Sequence, residues 1–78
     1  MNREQKLETG ILDLIKIYND KGISLPPYNL YLHYYYIDNK ILEETVSSLI
    51  DKKFLRMNHG EYIITKRGTE YISSDDFS

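Results

Sequence analysis

Between residues 52 and 67 stand five cations, Lys52, Lys53, Arg56, Lys66 and Arg67, against one carboxylate, Glu61, a local balance of +4. The preceding stretch, residues 38–51, has the opposite sign: Asp38, Glu43, Glu44 and Asp51 against Lys40 alone, a balance of −3. Grouped cations suit phosphate, because each neutralised phosphate releases counterions; the plain alternative is a solvated rim. The carboxylates would be repelled by the same phosphates unless they met cytosine amino groups. Their plain alternative is a solvated helix face. Asn39, Lys40, Ser47 and Ser48 could reach base edges or phosphates, asparagine suiting adenine and lysine suiting guanine. Lys40 also stands four residues before Glu44, the spacing of a surface ion pair on a helix. Asn58 and His59 add polar groups to the basic stretch. His59 is suited to sensing phosphate or pH, although a lone loop histidine more often does neither.

Tyrosine is the other unusual feature, with eight in 78 residues and Tyr34, Tyr35 and Tyr36 consecutive. A helix cannot bury three neighbours on one face, so at least one of them is expected at the surface or at an interface. Exposed aromatic rings stack on single-stranded bases or anchor a protein partner. Core tyrosines with the hydroxyl at the surface are the commoner case. Catalytic chemistry finds little footing. His33 and His59 lie in separate segments without metal-ligand spacing, there is no phosphate-cradling glycine loop, and there is no cysteine for thiol or zinc chemistry. The expectation is a non-enzyme with no metal and no cofactor.

These side chains must be positioned by one small domain. With 78 residues there is room for one core of modest size, and dimerisation is a common support for such a core. The domain is expected over residues 1–72, with an acidic, polar and frayed tail at 73–78. The net charge is −2, which weighs against a simple nucleic-acid reading, since DNA-binding domains are typically basic. No apolar run reaches the length of a membrane span, and residues 1–6 lack the apolar core of a signal peptide. A cytoplasmic protein without membrane contact is therefore expected. The abundance of lysine, asparagine, isoleucine and tyrosine resembles the usage of an AT-rich genome, such as a low-GC bacterium or its phages.

Periodicity divides the chain as follows. Leu7, Ile11, Leu14, Ile15 and Tyr18 recur at helical spacing over residues 3–19. Leu12 and Ile17 lie off that stripe and are expected either to widen it or to meet a partner. Gly22 is placed to end this helix in a left-handed conformation. Ile23-Ser24-Leu25 alternates like a very short strand. Pro27 opens a short helix over 28–35, with Leu30, Tyr31 and Tyr34 inward. Tyr36 and Ile37 form a tight turn, and Asp38 is the N-cap of a third helix reaching about residue 53. Its inner face is expected to hold Ile41, Leu42, Thr45, Leu49 and Ile50, with Val46 at the edge. Strands at 54–57 and 61–64 flank Asn58-His59-Gly60 in a β-hairpin, Gly60 supplying a positive φ. Thr65 caps a closing helix over 66–72, from which Tyr71 and Ile72, with Ile63, pack back on the third helix.

This order, α-β-α-α-β-β-α, is a mainly α, α+β arrangement in the order of a winged helix-turn-helix. Two stretches resemble small bacterial or phage regulators of the MarR and PadR kind. The first is Thr45-Val46-Ser47-Ser48-Leu49-Ile50-Asp51-Lys52-Lys53-Phe54-Leu55, which resembles the end of their recognition helix and the opening of the wing; Lys53 stands where those families commonly have glycine. The second is Tyr62-Ile63-Ile64-Thr65-Lys66-Arg67-Gly68-Thr69-Glu70-Tyr71-Ile72, which resembles the wing's return strand and closing helix. The resemblance spans residues 11–72 and implies a DNA-binding regulator whose third helix enters the major groove while the hairpin touches the backbone. On that reading Asn39, Lys40, Ser47 and Ser48 face bases, and Lys52, Lys53, Arg56, Asn58, His59, Lys66 and Arg67 lie on or beside the wing. Leu12, Ile17 and the helix around Tyr71 form a homodimer contact. The rival expectation is a protein-interaction module, part of a replication or mobile-element complex or a phage protein that binds a host factor. It would have weak or single-stranded nucleic-acid binding, with Tyr35, Tyr36, Glu43 and Glu44 meeting a basic partner.

Overall fold

In a computed structural model that describes residues 3–75, the chain is mainly helical with one two-stranded antiparallel hairpin, an α+β arrangement. Helix α1 (Arg3–Asp20) is central and packs against three other elements of the fold. That explains the first departure from expectation. Leu12 is not an off-stripe residue awaiting a partner but is fully buried at 0% exposure, beside Ile11 and Ile15. A helix covered from two sides buries more than one stripe, so successive residues Ile11 and Leu12 both lie in the core. Ile17 remains 52% exposed. The helix ends with Gly22 at φ 80°; its N–H donates to the Asn19 carbonyl, and the Ile23 N–H donates to the Tyr18 carbonyl. This is the paired-bond exit that a left-handed glycine permits.

Ile23-Ser24-Leu25 shrinks to a single bridge in which Leu25 and Tyr62 exchange backbone hydrogen bonds of 3.1 and 2.8 Å. Pro26 and Pro27 end it and open helix α2 (Pro27–His33), which buries Leu30. This helix stops two residues before the expected 35. Tyr34 leaves helical geometry at φ −109°, ψ 41°, and the Ile37 N–H closes a turn onto its carbonyl at 2.9 Å.

Helix α3 (Asn39–Asp51) begins at Asp38, whose side chain accepts from the Lys40 N–H at 2.8 Å. Its buried residues are Leu42, Val46 and Leu49, at i, i+4 and i+7. The helix is thus rotated from the expected face: Val46 is 7% exposed and Ile41 is 50% exposed. It also ends at Asp51 rather than near 53, because Lys53 turns left-handed at φ 68°. The Lys53 N–H donates to the Ile50 carbonyl and the Phe54 N–H to the Leu49 carbonyl, repeating the α1 exit with a lysine in the glycine position.

The exit consumes Phe54, so strand β1 (Leu55–Asn58) starts one residue later than expected; β2 (Glu61–Ile64) is as expected. They pair from Leu55 opposite Ile64 to Asn58 opposite Glu61, leaving a two-residue turn of His59 and Gly60 with φ 52° and 78°. Two successive positive φ values fit the right-handed strand twist. Tyr62 is buried and Ile64 packs against the core. Ile63, expected to pack inward, points from the opposite side of the pleat, as the period of two requires. Helix α4 (Lys66–Asp75) runs past the expected end at 72. Of the tail, residues 76–78 lie outside the described ones. Among the described residues no helix is long and apolar enough to cross a membrane.

Candidate functional site

The basic residues gather at the base of the hairpin. Thr65 makes the junction. Its N–H donates to the Phe54 carbonyl at 3.0 Å, its Oγ1 donates to the Lys53 carbonyl at 2.6 Å, and the same oxygen accepts from the Gly68 N–H at 3.0 Å. The start of α4 is thereby tied to the exit of α3, and Lys53, Lys66 and Arg67 come to one end of the molecule, all exposed. Gly68 makes the tie possible, since a Cβ there would stand 2.3 Å from the Phe54 carbonyl oxygen. The Arg67 guanidinium lies 6.0 Å from the centre of the Phe54 ring, which stacks on Tyr71 at 4.6 Å. A cation held over an aromatic face is oriented without being neutralised. No carboxylate stands in the first turn of α4, so the positive end of the helix adds to the field. Arg56 is exposed on β1, opposite Ile63. The acid of this region, Glu61, accepts from the Ser24 hydroxyl at 2.8 Å. Asn58 and His59 are at the tip, which carries no lysine or arginine.

Lys52 does not join this group. Its Nζ meets Glu8 Oε2 of α1 at 2.7 Å, and the Glu8 side chain is largely buried. A buried carboxylate needs a paired cation, so Lys52 serves the α1–α3 contact rather than the hairpin. Glu8 escaped the sequence reading. Its signal was its place three residues before Ile11 and four before Leu12, on the buried face of α1.

The outer face of α3 brings Lys40, Ser47 and Ser48 together in a shallow depression, but with Glu43, Glu44 and Asp51. Asn39 is exposed at the start of the same helix. Three carboxylates against one ammonium leave the face that would meet bases net acidic. Beside it, sharing Glu44 and Ser48, runs a half-open groove of about 610 Å³ between α1 and α3, floored by Leu7, Ile37 and Ile41 and edged by Tyr36, Asp38 and Glu44.

Of the residues expected at a partner interface, Ile17, Tyr35, Tyr36, Glu43 and Glu44 are exposed. Tyr35 is 82% exposed and sets its ring edge-on to Tyr36 at 5.6 Å. Leu12 is in the core and so does not offer the dimer contact expected of it, while Tyr71 is half-buried and stacked on Phe54. Tyr34 is buried with its hydroxyl against Gly10, where a Cβ would lie 2.6 Å from the oxygen. That close approach accounts for a glycine inside α1. Burial pushes the Tyr34 phenol above its usual range, helped by Tyr36 and Asp13. Burial does the same to Tyr62, with smaller contributions from Tyr31 and Glu43. Among the described residues no group of histidine and carboxylate side chains is arranged to hold a metal ion.

Compared with family models, curated proteins and solved structures, the chain matches none.

Proposed function

We propose that this chain is a small winged-helix protein that binds duplex DNA through the hairpin and its base, acting as a transcriptional regulator of bacterial or mobile-element origin. The observation that carries the reading is Lys53. A lysine at φ 68° occupies a helix exit that glycine would fill without strain, and it stands beside Lys66 and Arg67. Strain kept at a charged, exposed position points to a use for the charge. In this docking Lys53, Arg56, Lys66 and Arg67 hold phosphates, while Lys40, Ser47 and Ser48 approach base edges from the outer face of α3, where Glu43, Glu44 and Asp51 must meet cytosine amino groups rather than phosphates. Ile17, still exposed, is the remaining apolar contact for a homodimer.

Lys53→Gly separates fold from function. It relaxes the exit, so stability is expected to hold or to rise by up to about 1 kcal/mol. Duplex affinity is expected to fall, and the slope of log affinity against log salt to shrink by about 0.9 for the lost phosphate contact. Unchanged affinity in this variant and in Lys66→Glu/Arg67→Glu would overturn the assignment.

A second reading has its own observation. The net acidic outer face of α3, with Tyr35 and Tyr36 exposed nearby in sequence, favours a protein-interaction module with weak or single-stranded nucleic-acid binding. Titration with random duplex and random single strand at two salt concentrations separates the two. Steep, salt-sensitive duplex binding supports the first, and preference for the single strand supports the second.

A further inference from the structure

We propose that the groove between α1 and α3 is the docking site for a basic amphipathic helix of a partner protein. The inference does not rest on the duplex-binding reading, whose phosphate contacts lie at the hairpin base; the two meet only on α3, where Glu44 and Ser48 belong to both, so a helix in the groove and a duplex on α3 exclude each other. The groove's apolar lining is made by Leu7, Ile37 and Ile41, and Ile41 is half exposed among the described residues. That exposure follows from the rotation of α3 that put Val46 in the core. Its lining is otherwise acidic: Asp38 and Glu44 stand in it with Glu8, which is paired with Lys52, and Glu43 and Asp51 continue the same face beyond Glu44. The Lys52 ammonium is bonded to Glu8, and among the described residues no lysine or arginine lines the groove. Its two walls are helices, which accept a third helix laid along them with its apolar side down.

Charge selects the occupant. A nucleic acid is repelled by this edge. A second copy of the chain offers no helix with a net basic flank, since α1, α3 and α4 each carry at least as many carboxylates as cations; only its basic end at the hairpin base could approach the groove, which is the self-association outcome of the test. A helix with leucine-like residues on one face and lysine or arginine along its flank satisfies both the floor and the edge. The apolar contacts supply the affinity, and the charges supply orientation and rate.

The full chain, labelled with ¹⁵N, is titrated with two helix-forming peptides of about 15 residues, one of leucine and lysine and one of leucine and glutamate, with identical leucine spacing. The leucine–lysine peptide is expected to bind at least about tenfold more tightly than the other. Its amide shifts should centre on Leu7, Ile37, Ile41, Thr45 and Ser48. Glu44→Lys should weaken it about fivefold to tenfold, and Ile41→Lys should reduce it by more than about tenfold. Both positions are exposed, and circular dichroism with thermal melting checks that both variants fold. The proposal is overturned if neither peptide binds, if both bind equally, or if the shifts lie outside the groove. It is also overturned if Ile41→Lys leaves affinity unchanged, which would mean general attraction to acid, or if the groove is filled by self-association of the chain.

Discussion

The base of the hairpin and the α1–α3 side are built from different materials. At the hairpin base, backbone groups do the joining: Thr65 bonds to the carbonyls of Lys53 and Phe54, and Gly68 lets α4 come down on Phe54. The side chains of Lys53, Lys66 and Arg67 are exposed, and among the described residues none of the three is paired with a carboxylate. On the α1–α3 side, side chains do the joining. Apolar packing and the Lys52–Glu8 pair hold the helices, the carboxylates of α3 face outward, and an apolar groove stays open. A chain of net charge −2 thus presents one basic end and one acidic face, and its net charge describes neither.

The contrast is broken most severely at Gly68. Gly68→Ala drives a methyl into the Phe54 carbonyl, which cannot move without losing the Thr65 hydrogen bond, and should cost about 3 kcal/mol in denaturant unfolding. A cost below about 1 kcal/mol would mean that the junction is soft. On the other side, Lys52→Met leaves Glu8 largely buried without its cation. With Lys52 itself half exposed, the expected loss is about 1 kcal/mol, and Glu8→Gln combined with Lys52→Met should recover part of it. An additive double variant would show that the two residues do not act as a pair.

Gly10 sharpens the comparison further, since it is a close approach of side chain to helix rather than of backbone to backbone. Gly10→Ala alone should be neutral or destabilising, because the new methyl meets the Tyr34 hydroxyl. In a Tyr34→Phe background the same change should stabilise by up to about 1 kcal/mol, the helix preference of alanine over glycine. Thermal unfolding of the four variants of this cycle reads the coupling directly. The smallest effect is alkaline. Burial holds the Tyr34 and Tyr62 phenols above their value in the unfolded chain. Their contribution is therefore fully present below the unfolded pKa, near 10, and is lost as pH rises through the higher folded values. Unfolding measured between about pH 9 and pH 11 should show falling stability, with a shallower fall in Tyr34→Phe.

The features legible before any coordinates were those set within a few residues. Asp38 and Thr65 are caps because a short oxygen-bearing side chain stands where a helix leaves N–H groups unpaired. Gly22 and Gly60 take the positive φ values that their turns require, and the hairpin falls where two apolar runs flank a tight turn. The left-handed exit at Lys53 was not legible: the residue was expected at the end of the third helix, and only the structure shows it in the conformation that glycine usually takes. The basic and acidic runs were visible as counts.

What the counts could not say is which charges are free and which faces are covered. Lys52 is bound by a carboxylate 44 residues away, Glu61 by Ser24, and Tyr71 by Phe54. Leu12 is buried and Ile41 is not, although both are apolar residues at the margin of a helical stripe. Local sequence determined the caps at Asp38 and Thr65 and the glycine exit at Gly22, because those groups meet their partners within one turn, whereas the ends of α2, α3 and α4 fell elsewhere than the local signals placed them. Only the tertiary packing decided the rotation of α3, the fate of Lys52 and the existence of the groove. A helix margin is assigned to core or solvent by the number of elements that pack on it, and that number belongs to no single segment.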